Sequence, residues 1–238
     1  MDILGEGMIP KLILWHHLGL GDHIICNGLV HEVLKNAHEI ILPCKPNNLN
    51  TIGHLYSDYP NVTIIDIGDT NYNQETSVLF GISLSNNIPL LRIGFNGENN
   101  LPFDKQFYEQ LGLNFDTRWT SFRMPKDDSN ARSFYSSFIK HKEYALVHNN
   151  SSVGNYKLEI STTLPIYYID KSLDSMLDWK TVIENANEIH CIDSSFIHLV
   201  DSLKLNANKL VYHDVGRGSV FHLRNQWEVK TYNQNGTN

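Results

Sequence analysis

Short unbroken apolar runs alternate along this chain with stretches whose apolar residues recur every three or four positions. Leu12, Ile13, Leu14 and Trp15 form the first run, the pattern of a strand buried on both faces. The period then changes. Ile24, Ile25, Gly28, Leu29, Val33 and Leu34 lie at helical spacing, which predicts a helix from Asp22 to near Ala37. Glu39–Cys44 (EIILPC) is a second strand, stopped by Pro43 and Pro46. Asn47–Asp58 reads as a helix with Leu49, Ile52, Leu55 and Tyr56 on one face, and Val62–Ile67 (VTIIDI) as a third buried strand. Strands alternating with helices imply parallel pairing and right-handed crossovers, as in a Rossmann-like unit.

The middle of the chain is less periodic. Asp69–Ser85 is polar, with one short helix expected at Gln74–Phe80, and Pro89–Phe95 is a further strand. Phe103, Phe107, Tyr108 and Leu111 fit a short helix that Gly112 would end. Phe115, Trp119 and Phe122 then cluster with Arg118 and Arg123. Such a cluster can hold a sugar or phosphate, but its commoner role is to pack a surface segment onto the core. Lys126–Asn130 (KDDSN) is polar and turn-rich, a linker. Beyond it a second series begins with a helix over Ala131–Lys140 and a strand over Tyr144–His148. It continues with strand Ile166–Ile169, helix Met176–Ala186, strand Glu188–Ile192, helix Ser194–Leu203 and strand Lys209–Tyr212. The expected organisation is α/β, with two Rossmann-like domains at residues 1–126 and 131–238. Their parallel sheets are expected to face one cleft, flanked by a loose leader over Met1–Pro10 and a disordered tail from Tyr232.

Composition narrows the class. With 238 residues, 41% hydrophobic and 19% charged, the chain has material for one large globular domain or two small ones. A formal net charge of -7 argues against general nucleic-acid or anionic-membrane binding. Cys26, Cys44 and Cys191 are odd in number and far apart, which suggests reduced, buried thiols and a cytoplasmic setting. The 12 histidines form no His-Glu-x-x-His pair and no Cys/His ladder, so no metal site is expected. No apolar signal region or membrane-spanning run occurs, and the Asn-x-Ser/Thr triplets at Asn61, Asn149 and Asn235 are expected to be unmodified.

Two turns carry candidate chemistry. After the first strand come His16, His17, Leu18 and then Gly19-Leu20-Gly21-Asp22-His23. Glycines let a ligand approach the main chain, and the crevice beyond a strand's carboxyl end is where open α/β sheets bind ligands. The plain alternative is that Asp22 only caps the helix. The turn is neither a dinucleotide fingerprint nor a Walker loop. The second turn lies in Ala186–Leu203 (ANEIHCIDSSFIHLVDSL), where Asp193 and Ser194 follow a strand and Ser195 opens a helix. His198 falls three and four residues after the two serines, on the same face. Hydroxyls, free N–H groups and the helix dipole there suit a phosphate. The alternative is a serine cap beside a core histidine.

These two regions resemble the signature regions of heptosyltransferase-like glycosyltransferases, enzymes of the GT-B fold. A third, Leu146–Leu158 (LVHNNSSVGNYKL), resembles the first strand of that family's nucleotide-binding domain, where a His leads into small polar residues and a Lys. The three occur in the family's order, although Ser195 stands where a Gly is common and the chain is short for such an enzyme. The resemblance implies that Asp22 is the general base, accepting the proton of an acceptor hydroxyl as that oxygen attacks the anomeric carbon with inversion. It implies that Ser151, Lys157, Asp193, Ser194, Ser195 and His198 bind the donor diphosphate without a metal or other cofactor. His16, His17, Gly19, Gly21 and His23 would line the acceptor side. Asp170 and Asp174 are candidates to hold the donor ribose. The implied partners are a nucleoside-diphosphate sugar, an ADP-linked heptose or a GDP- or UDP-linked sugar, and a glycan, lipid-linked or other hydroxyl acceptor. Two alternatives stand beside this reading: a non-catalytic nucleotide- or sugar-binding module, and another Rossmann-like nucleotide-sugar enzyme such as an epimerase.

Overall fold

A computed structural model describes residues 7–95, 101–170, 173–215 and 221–232. Residues 1–6 of the expected leader and 233–238 of the expected tail lie outside them. The chain divides into two compact units, Met1–Lys126 and Asp127–Asn238.

The first unit is built on a four-stranded parallel sheet of order β3-β2-β1-β4. Its strands are β1 (Leu12–Trp15), β2 (Ile40–Cys44), β3 (Val62–Asp66) and β4 (Leu90–Arg92). The first two are wholly buried, as their apolar runs require. β3 is not the buried strand expected. It forms the sheet edge, and Thr63 and Asp66 are exposed. The long helix expected after the glycine turn is two helices, α1 (Leu20–Ile25) and α2 (Asn27–Val33), parted at Cys26. Gly19 is the N-cap of α1, so Asp22 lies in its first turn and is not the capping residue. A 3-10 turn over Pro46–Asn48 leads into α3 (Leu49–Leu55).

α4 (Tyr72–Asn86) is twice the helix expected. Asn71 accepts from the Asn73 and Gln74 N–H groups, while Gln74 accepts from the Asn71 N–H, a reciprocal capping box. At its other end Asn87 takes the left-handed conformation, φ 52°, that asparagine tolerates. α4 supplies Leu79 to a core cluster with Ile13, Trp15, Leu18, Ile41 and Ile67. α5 (Phe103–Glu109) and the single turn α6 (Thr117–Thr120) complete the unit.

The second unit opens with α7 (Ser129–Phe138), two residues earlier than its apolar pattern predicts. Its parallel sheet has five strands, in the order β11-β10-β9-β5-β8. They are β5 (Ala145–His148), β8 (Ile166–Tyr168), β9 (Glu188–Ile192), β10 (Lys209–Asp214) and β11 (Glu228–Thr231). β6 (Asn150–Ser151) and β7 (Gly154–Asn155) form a small antiparallel hairpin after β5. A 3-10 turn over Met176–Trp179 precedes α8 (Lys180–Asn185), and α9 (Ser195–Ser202) follows β9. β11 has no counterpart in the sequence reading because its residues are mostly exposed on a sheet edge. The fold is thus α/β with two parallel sheets. No described helix is long and apolar enough to cross a membrane.

Candidate functional site

Each sheet reverses its strand order once. In the first unit the chain builds β1, β2 and β3 outward, then adds β4 on the other side of β1. Loops after β1 and β4 therefore diverge, and such a switch point leaves a crevice at the carboxyl edge. The residues that follow β1 there are His16 to Asp22.

His16 is buried, and its Nδ1 lies against the His17 carbonyl oxygen in a short contact. Its ring meets His23 edge-on at 4.5 Å. His17 sits between Phe95 and Phe107, at 4.7 and 5.4 Å. Burial lowers the pKa of all three histidines, His16 to about 4 and His23 well below its usual value. For His17, a hydrogen bond to the Gly94 backbone and the Glu75 charge oppose that effect. These rings are neutral near pH 7. His23 is fully buried and among the described residues neither ring nitrogen has a hydrogen-bond partner, so it is core, whereas His17 remains half-buried.

Asp22 is half-buried in the first turn of α1, where the dipole favours a carboxylate. The glycines serve it differently from what their conformational freedom suggests. Gly19 has an ordinary φ of -67°, and Gly21 lies within α1. A Cβ on Gly19 would stand 2.5 Å from the Asp22 carboxylate oxygen. The glycine makes room for the acid.

In the second unit β8 lies on one side of β5 and the later strands on the other, placing the switch point between β5 and β9. At their carboxyl ends stand His148 and the Asp193–Ser194 turn. Ser194 caps α9 by accepting from the Phe196 N–H at 3.2 Å, and its hydroxyl lies 3.2 Å from His148 Nδ1. His148 stacks on Phe196, ring centroids 4.8 Å apart, and burial lowers its pKa to about 4. Its neutral ring shares a hydrogen bond with the Ser194 hydroxyl, the donor being set by the tautomer. Asp193 is buried, and among the described residues its Oδ2 has no hydrogen-bond partner. The Ser195 hydroxyl points to Met176 Sδ at 3.8 Å, and the buried His198 ring meets Phe221 edge-on at 4.9 Å. Ser151 accepts from the Val153 N–H in the hairpin, and Lys157 is exposed just beyond it. Among the described residues no hydrogen bond joins Lys157 to Ser151 or to the α9 groups. Asp170 and Asp174 are both exposed.

Sequence reasoning missed one support, Asp201, and the buried partner of another. Asp201, fully buried on α9, accepts from the Arg224 and Asn225 N–H groups, the Asn225 amide and the Trp227 indole, at 2.7 to 3.0 Å. It fastens the segment holding Phe221 to the helix that carries His198. An acid within the apolar run of α9 was its only local sign. In the first unit, Arg118 from the aromatic-basic cluster is fully buried, 2.9 Å from an equally buried Asp104, with its guanidinium 4.9 Å from the Trp119 ring. That cluster packs the unit and presents no open surface at Arg118.

No protein-family model matches the chain, and neither does any curated protein. Solved structures do. A glycosyl transferase family 9 structure from Veillonella parvula DSM 2008 aligns with a TM-score of 0.59 at 12% identity, over 98% of this chain and 89% of that one. The iron-containing dodecameric glycosyltransferase TibC from enterotoxigenic E. coli H10407 aligns with a TM-score of 0.50 at 13% identity, over 92% of this chain. The chain spans 62% of the TibC chain. At this level of identity the likeness is one of fold, and the fold this chain shares is that of family 9 glycosyltransferase structures.

Proposed function

We propose that the protein is a glycosyltransferase that moves a hexose or heptose from a nucleoside-diphosphate sugar to an acceptor hydroxyl, with inversion and without a metal. The observation that carries this reading is Asp22, a part-exposed carboxylate at the switch-point edge of its sheet, with a glycine opposite that leaves it space. A binding module has no use for such a base. In this reading Asp22 takes the proton from the acceptor hydroxyl as the oxygen bonds to the anomeric carbon. The bond from that carbon to the diphosphate breaks, and the diphosphate leaves with the electron pair. The second unit would stabilise that leaving charge through the α9 N-terminus, the Ser195, Ser151 and His198 side chains and the Lys157 ammonium. Ser194 and Asp193 would shape the turn. Free, buried thiols at Cys26, Cys44 and Cys191 fit a reducing compartment such as the cytoplasm.

Asp22→Asn tests the reading. The amide keeps the shape of the side chain, so melting temperature and donor affinity should hold, while turnover falls by roughly 10²-fold or more. Transfer near the wild-type rate would remove Asp22 as the base, whereas a wild-type chain that binds the nucleotide and transfers no sugar would be a binding module. Thermal shifts with ADP, GDP and UDP then identify the nucleotide, because the ligand that binds the native state raises its melting temperature.

A further inference from the structure

We propose that Arg118 is the positioning residue for Asp22, the buried cation that holds this carboxylate in place and ionised. The proposal rests on reading Asp22 as the base. Arg118 is withdrawn from water altogether, as is its partner Asp104. A buried pair of this kind is a weak source of stability compared with apolar packing of the same volume, so its presence needs another reason.

The surrounding elements supply one. α6, which carries Arg118, lies so close to α2 that a Cβ on Gly28 would meet the Thr117 carbonyl oxygen at 2.3 Å. α5, which carries Asp104, also carries Tyr108, whose hydroxyl donates to the Ile25 carbonyl at 2.6 Å. Ile25 is the last residue of α1. The helix breaks at Cys26, whose N–H returns to the Asp22 carbonyl at 2.8 Å. Asp22 and Cys26 are four residues apart and share a face. α5 and α6 thus grip the end of the helix that bears the acid.

Charge points the same way. The buried Cys26 thiol is pushed up first by burial and then by the Asp22 charge, while Arg118 pulls it down. Both charges therefore act on one thiol. The other titratable groups around this site are His16, His17 and His23 from the β1 end, with Glu75 and Arg92 acting on His17, Tyr56 from α3, and Tyr108 and Asp104 from α5. Burial holds the histidines and tyrosines neutral. Of the two cations among these groups, Arg92 acts on His17 and Arg118 acts on the Cys26 thiol beside Asp22. Arg118 itself is shielded from water, so its field on a half-buried carboxylate is screened less than it would be at the surface.

The test is a carboxyl 13C titration of Asp22 in the full chain, beside the acid limb of the transfer rate against pH. Arg118→Gln removes the cation and should raise the Asp22 midpoint by about one pH unit. Asp104→Asn removes the opposing anion, keeps an acceptor for Arg118, and should lower the midpoint. Arg118→Lys keeps the charge and should restore the midpoint lost in Arg118→Gln. If Arg118→Gln fails to fold alone, Arg118→Gln in the Asp104→Asn background, which removes the buried pair together, decides: its midpoint should stand above that of Asp104→Asn. A purely structural role would lower the melting temperature and leave the midpoint unmoved when Arg118 is lost in either background, which would overturn the proposal. The titration needs no turnover. Displaced midpoints in a protein that transfers no sugar would count against Asp22 as base and uphold the field of Arg118 upon it.

Discussion

Gly19 illustrates how a single residue serves this site through what it lacks. Its backbone is one that alanine adopts freely, φ -67°, so Gly19→Ala should fold at close to the wild-type melting temperature. The new methyl would nevertheless occupy a point 2.5 Å from the Asp22 carboxylate oxygen and push that oxygen aside. Misplacement of a base by about 1 Å costs on the order of 10²-fold in rate, so transfer should fall steeply at nearly unchanged stability. Paired kinetic and melting measurements check this. Asp201 presents the opposite case. Four donors converge on this fully buried carboxylate, and Asp201→Ala would strand them. Urea unfolding should show a loss of about 2–4 kcal/mol, with Asp201→Asn losing less because an acceptor oxygen remains. Asp22 was legible as a candidate because a glycine turn after a strand is a local pattern. Asp201 was not, because its donors lie 23 to 26 residues away.

Among the elements, α4 shows why polar stretches mislead. Its buried residues are only Glu75 and Leu79, while Tyr72, Phe80 and Leu84 are exposed, so no clean apolar stripe marks its length. Its start is nonetheless written in Asn71 and Gln74, the spacing of a capping box. Asn71→Ala should therefore cost about 0.5–2 kcal/mol by chemical denaturation. The α1–α2 pair fails in a different way. The apolar period runs through Cys26 unbroken, and the break is held by Tyr108, which bonds the Ile25 carbonyl from 83 positions further on. Gly28 belongs to the same packing. Gly28→Ala would drive a methyl into the Thr117 carbonyl, and overpacking of this kind costs typically about 1–3 kcal/mol. A much smaller loss would mean that α6 can retreat from α2.

Across the whole molecule, buried neutral histidines set how stability follows pH. His16, His148 and His213 are buried, and each has its pKa lowered from 6.5 to about 4, chiefly by burial. Between those values the unfolded chain binds protons that the native state refuses. Their contribution is therefore complete above pH 6.5 and is lost as pH falls toward 4, by up to about 1.4 kcal/mol per pH unit for each ring. Urea midpoints measured at about pH 7.5, 6 and 5 should decline in that order, and an unchanged midpoint would contradict the burial of these rings. The sequence by itself determined that the chain is a double α/β series with a glycine turn ahead of Asp22 and a serine turn ahead of His198. Burial imposes short apolar runs on central strands and a helical period on the segments that cover them, and both are local. Only the tertiary structure decided the partners. Ser194 meets His148 across 46 residues because β5 and β9 pair side by side. Arg118 left the surface because α6 closes on Gly28. β11 became a strand because β10 offered it an edge. Strand order and helix contact choose these neighbours, and no periodicity along the chain encodes them.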